Sequence, residues 1–230
     1  MKAGRDSETS TMTPSAFLFD LTVSLILGAL SVLAWNKTPG EWICDCGAEK
    51  GAGPQNRILA LLPWALLFAL PFLLLLQDPE GIPVSVRCLP ALAVTFGLIQ
   101  LSVCDVRYQI LQDQWILFLG PAGLFFPVGP GARITGVLIP LAAFAAWALA
   151  ARAAGRTCGL GAGDAKLAAG LGFAFGAPAA AAMLCRAFLW AGMVALCLLL
   201  TKKAAKGDRM AFGPFAALAC YCYLLSTFSM

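Results

Sequence analysis

Two aspartates stand where long apolar runs meet polar turns. Asp164 lies in GLGAGDAKLAAGLG, residues 159–172, with Lys166 two positions on. Asp105 lies in CDVRYQILQDQW, residues 104–115, with Asp113 opening the next apolar run. A charge beside lipid costs free energy, so each of these acids needs a reason to be there. The plain reason is structural. Asp164 can cap the helix that follows it, and Asp105 and Asp113 can flank a turn and pair with Arg107. The chemical reason is a pair of carboxylates acting together. One takes a proton from water while the other donates to a carbonyl oxygen, and a peptide bond is hydrolysed without a metal or a side-chain nucleophile. Two such groups a few ångströms apart share a proton and titrate as a unit. Glycines around one of them, here Gly161 and Gly163, let a substrate backbone approach closely. Other readings of the glycine-rich stretch fail. A phosphate-binding loop needs Gly before its lysine and Ser or Thr after it, and Lys166 has Ala165 and Leu167. A dinucleotide fingerprint needs glycine where Asp164 stands. The chain has no histidine, which excludes histidine-based triads and histidine-ligated metal sites.

The elements that must position these acids are membrane helices. The 230 residues are 60% hydrophobic and 12% charged, whereas soluble domains hold about 45–50% and about 25%. The apolar runs are continuous, which excludes the alternation of a transmembrane barrel. We read an all-α, polytopic transmembrane protein with about eight spans, near 16–35, 58–76, 88–104, 115–128, 134–151, 166–182, 184–200 and 212–228. Residues 1–87 form N-terminal membrane helices with a short cytoplasmic loop, and residues 88–230 the core that carries the acids. The loops at 36–57, 105–114, 152–165 and 201–211 hold most of the Lys and Arg residues, among them Arg107, Arg152, Lys202 and Lys203. Arg87 and Arg133 fall on the other side. This bias makes the first set cytoplasmic and leaves both termini outside. It also puts Asp105 and Asp164 on the same, cytoplasmic, face.

Taken together these stretches carry a resemblance. GLGAGDAKLAAGLG resembles the G-x-G-x-G-D-x-K-L segment of the type IV prepilin peptidases, membrane aspartyl proteases of the Gly-x-Gly-Asp class. CDVRYQILQDQWI resembles the first aspartate motif of that family, and MAFGPFAALA, residues 210–219, resembles the segment that opens its last helix. The resemblance implies that Asp105 and Asp164 are the catalytic pair. It makes Gly161, Gly163 and Lys166 a supporting loop, and Asp113 a second acidic position outside the pair. It implies a prepilin or pseudopilin substrate, cut on the cytoplasmic side of a bacterial inner membrane in which the chain is multi-pass. Nucleic acid is not an expected partner, and the oligomeric state is left open.

Two departures qualify it. Gln112 stands where the family usually has proline. The loop at 36–57 holds only Cys44 and Cys46, spaced C-x-C, where long members carry two C-x-x-C pairs. Two thiolates cannot close a tetrahedral zinc site, so no metal and no cofactor is expected. S-adenosylmethionine enters only if the methyl transfer of some long members is retained. The nine cysteines are mostly in apolar runs and read as small hydrophobes rather than a disulfide framework. Asp20, inside the first span, reads as a headgroup-level acid. The competing reading of the whole is a catalytically degenerate scaffold that binds pilin-like helices in a secretion or pilus system. A small proton-coupled transporter is a third, set against by the placing of both acids at a boundary rather than the midplane.

Overall fold

The computed structural model describes residues 84–155, 161–203, 205 and 210–228, with positions 22, 26, 28–34 and 37 nearer the N-terminus. The expectations for Asp20, for Cys44 and Cys46 and for the second span lie outside these residues. Every regular element described is an α-helix. Six follow one another from residue 84: α1 (Val84–Tyr108), α2 (Asp113–Gly123), α3 (Pro130–Ala153), α4 (Ala162–Phe175), α5 (Ala177–Leu200) and α6 (Gly213–Phe228). Residues 28–34 are helical too, and the Gln100 side chain of α1 donates to the Ser31 carbonyl at 2.9 Å.

Helices α1, α2, α4, α5 and α6 close into a ring, each packed on the next and α6 back on α1. The core runs through all five, from Val94, Leu98 and Leu101 of α1 to Leu119, Leu167, Leu171, Met183 and Ala219. Helix α3 contributes nothing to that core and lies outside the ring against α4 and α5. Glycine holds it there. A Cβ on Gly136 would overlap the carbonyl of Gly172, and a Cβ on Gly172 that of Gly136, so the two backbones touch directly. The same device joins α2 to α4, where a Cβ on Gly123 would come within 2.5 Å of the Ala174 Cα.

Among the described residues two helices, α3 and α5, are long and apolar enough to cross a membrane. Both carry large apolar side chains outward, Ile134, Leu138 and Leu149 on one and Leu189, Leu196 and Leu200 on the other. Helices α2 and α4 are shorter than the apolar runs suggest. The run from 115 to 128 is helical only to Gly123. The run from 166 to 182 breaks at Gly176, whose φ of 81° suits glycine, and Pro178 opens α5 one residue into its first turn. At about 1.5 Å per residue, α2 is about 16 Å long and α4 about 21 Å, against about 36 Å for α3 and α5.

Arg133 closes the end where α2 and α4 stop. It is 8% exposed and donates to four carbonyls: Gly123 at 2.9 Å, Phe126 at 2.8 Å, Val128 at 3.1 Å and Phe173 at 2.9 Å. Its guanidinium also lies 5.4 Å from the Phe173 ring centroid. One cation thus satisfies the orphan carbonyls at two helix C-termini, where the helix dipoles are negative.

Candidate active site

At the opposite end, α1 stops and α2, α4 and α6 begin. Gln109 ends α1 in the left-handed region, φ 53°, and its N–H donates to the Asp105 carbonyl at 2.8 Å. That turn leaves the Asp105 side chain in the last turn of α1, 6% exposed. Its Oδ2 accepts the Gly213 N–H at 2.5 Å, and the Phe212 N–H also donates to this carboxylate. Both donors belong to the start of α6, where unpaired N–H groups and the helix dipole favour an anion. Gly213 is required for the approach. A Cβ there would stand 3.0 Å from Asp105 Oδ2. Pro214 follows, in the position that starts a helix without a missing bond.

Asp164 occupies the third position of α4, and its Oδ2 accepts the Gly161 N–H at 3.1 Å. The N-cap is therefore Gly161 rather than Asp164, and Asp164 supplies the N3 half of a capping box. Leu111 joins the two sites. A Cβ on Gly163 would lie 3.1 Å from the Leu111 Cβ, and one on Gly213 would lie 3.3 Å from Leu111 Cδ2. One leucine side chain therefore fills the space against both glycines.

Both carboxyls lie past the apolar segments of their helices, and both hold their protons to higher pH than an ordinary carboxyl. For Asp105 the main cause is burial, opposed by the two α6 donors. For Asp164 it is burial again, opposed by Gly161 and reinforced by the negative charge of Asp105. Asp164 therefore lies within electrostatic reach of Asp105, although the two residues are 59 positions apart in sequence.

Lys166 and Asp113 do something else. The Lys166 ammonium donates to both Asp113 oxygens, at 2.8 and 2.7 Å, tying the first turn of α4 to that of α2. Both side chains are about half exposed, 52% and 56%. An exposed pair of this kind contributes roughly 0–1 kcal/mol. Lys166→Ala and Asp113→Asn are accordingly expected to shift stability by under about 1 kcal/mol. Thermal unfolding of the purified variants checks this.

The structure thus brings Asp164 within electrostatic reach of Asp105 and ties Asp113 to Lys166, with Gly161 against Asp164 and Gly163 against Leu111. Three residues of the arrangement carry no separate signal in the sequence reading. Gly213 and Leu111 lie within the motifs without a contact that the motifs specify, and the Gly-Pro pair at a helix start is the one clue to the first. In the sequence Arg133 reads only as a charge on the far side.

A buried and a partly buried carboxyl thus stand at neighbouring helix ends of an all-helical core. Residues 92–225 match the type IV leader peptidase family, from the first third of α1 to near the end of α6. The chain belongs to that family. No curated protein and no solved structure matches it.

Proposed function

We propose that the chain is a multi-pass aspartyl endopeptidase of the bacterial plasma membrane that removes the leader from prepilin-like proteins at the cytoplasmic face. The observation that supports this reading most is the coupling of Asp105 with Asp164 within the span of the family match. The two play different parts. Asp105, with two N–H donors from α6, is the better placed to carry the negative charge. Asp164, raised by that charge, carries the proton.

In the reaction Asp105 takes a proton from water as the water oxygen bonds to the scissile carbonyl carbon. Asp164 gives its proton to the carbonyl oxygen, forming a gem-diol. Asp105 then passes its proton to the leaving nitrogen as the C–N bond breaks, and Asp164 recovers a proton from the gem-diol hydroxyl. Only the singly protonated pair can begin this cycle. The expected pH dependence of kcat/KM is therefore a bell. Activity falls on the acid side as Asp105 gains a proton, above the usual carboxyl range because its pKa is raised. It falls on the alkaline side as Asp164 loses its proton, again at a raised pH. A rate that keeps climbing through neutral and alkaline pH counts against the pair.

The direct test is co-expression with a tagged prepilin, reading leader loss by gel shift and the new N-terminus by mass. An added methyl group in that mass brings S-adenosylmethionine in; its absence leaves a peptidase alone. No cleavage of any prepilin class by folded protein favours the degenerate scaffold.

A further inference from the structure

We infer that the two aspartates lie level with the middle of the membrane-spanning helices, in a water-filled recess let into the cytoplasmic leaflet, and that the chain thins the bilayer there. This rests on reading α3 and α5 as membrane spans; it does not depend on the chemistry assigned to the acids.

Two contacts fix the level. Gly136 of α3 meets Gly172 of α4. The helices are antiparallel, so Asp164, eight positions above Gly172, stands level with residue 144, near the middle of α3. The ring of Phe212, beside the Asp105 donor Gly213, lies 4.5 Å from that of Phe188, the middle of α5. Beyond this level α3 continues to Ala153, about 13 Å, and α5 to Leu200, about 18 Å, at 1.5 Å per residue. A tilt of about 20° shortens these by less than a tenth. The other four helices contribute only α1's last turn above it, because α2, α4 and α6 begin there.

The projecting segments are apolar until Arg152 on α3 and until Lys202 and Lys203 after α5. Trp147, Leu149, Met193 and Leu196 are among the exposed side chains. Basic residues ending two apolar segments on one side match anionic headgroups, so acyl chains are the covering these segments fit. At the level of the acids α1, α2 and α4 carry charged side chains. Arg107, Asp113 and Lys166 are all exposed there. Charged groups do not face hydrocarbon, so water must reach down to them. Lipid standing high against α3 and α5 and water standing low over α2 and α4 is a local thinning, caused by the unequal helix lengths.

Thiol labelling in inside-out membrane vesicles tests this, with peptide mass spectrometry as the readout and a charged, impermeant thiosulfonate as the probe. Gln114→Cys and Ala162→Cys place thiols at the level of the acids, in two separate helices and both at exposed positions. Native Cys197, exposed on α5, stands about 14 Å nearer the surface and serves as the internal comparison. The expected result is inverted with respect to depth. The introduced thiols react at least about 100-fold faster than Cys197, because thiolate, the reactive form, is suppressed in hydrocarbon. A phospholipid with a photoreactive acyl chain is expected to label the peptide that holds Cys197. Protection of both introduced thiols overturns the recess. Rapid reaction of Cys197, or no lipid label beside it, overturns the thinning. Failure of the membrane reading itself shows separately, as release of the chain by an alkaline wash.

Discussion

Asp105→Asn and Asp164→Asn are each expected to lower leader cleavage by at least about 10³-fold, within the range for losing a general acid or base. The loss is the same in kind for both because the pair acts as one proton-sharing unit, and the double variant is expected to be little worse than either single. The two should differ in folding. Asparagine at 105 keeps an oxygen for the N–H groups of Phe212 and Gly213, and neutrality relieves the burial of a charge. Asparagine at 164 keeps its acceptor for Gly161. Neither variant should unfold more easily than wild type in detergent, so lost cleavage with retained melting temperature separates chemistry from collapse. Cleavage within about tenfold of wild type in either variant removes the pair from the mechanism.

The largest expected structural effect falls at the contact of α3 with α4. Gly136→Ala and Gly172→Ala each force a methyl into the carbonyl of the facing glycine. Side chains can rotate away from an added methyl, but backbone cannot, so the helices must part. A cost of about 3 kcal/mol is expected for each, at the upper end of overpacking penalties. The double variant should cost clearly less than the sum, since helices already parted admit the second methyl freely. Gly192→Ala is the control. Nothing lies within 4 Å of a Cβ there, and its effect should be neutral or slightly stabilising. Equal melting temperatures for Gly172→Ala and Gly192→Ala would show that the close approach carries no energy.

What a reader of the sequence can see here follows from what kind of signal each feature leaves. Helices betray themselves by long uncharged runs, and Asp105 and Asp164 by interrupting such runs within motifs. The C-terminal end of α4 leaves little trace, because residues 167–184 contain no charge to mark a boundary. Only Gly176 and Pro178 break that run, and glycine is frequent throughout this half of the chain. Depth is the costliest omission. An acid at the end of an apolar run reads as an acid at the membrane boundary, which holds only if the runs are of equal length and start together. The unequal helices remove that assumption, and with it the boundary argument against a transporter; family membership is what favours hydrolysis. Close backbone contact is illegible for a related reason. Gly136 and Gly172 are 36 positions apart, and nothing in one names the other.

The four bonds of Arg133 also impose an order on synthesis. Gly123, Phe126 and Val128 lie within ten residues of it, so three carbonyls are at hand as soon as α3 starts to leave the ribosome. The fourth, on Phe173, is 40 positions downstream and does not yet exist. Until α4 arrives two of the five guanidinium N–H donors face the surroundings, a polar hook beside an unfinished bundle. Docking of α4 supplies the fourth bond and brings Gly172 onto Gly136 in the same movement. Lysine has no planar fork with which to hold several carbonyls at once, and would give the growing chain no such latch.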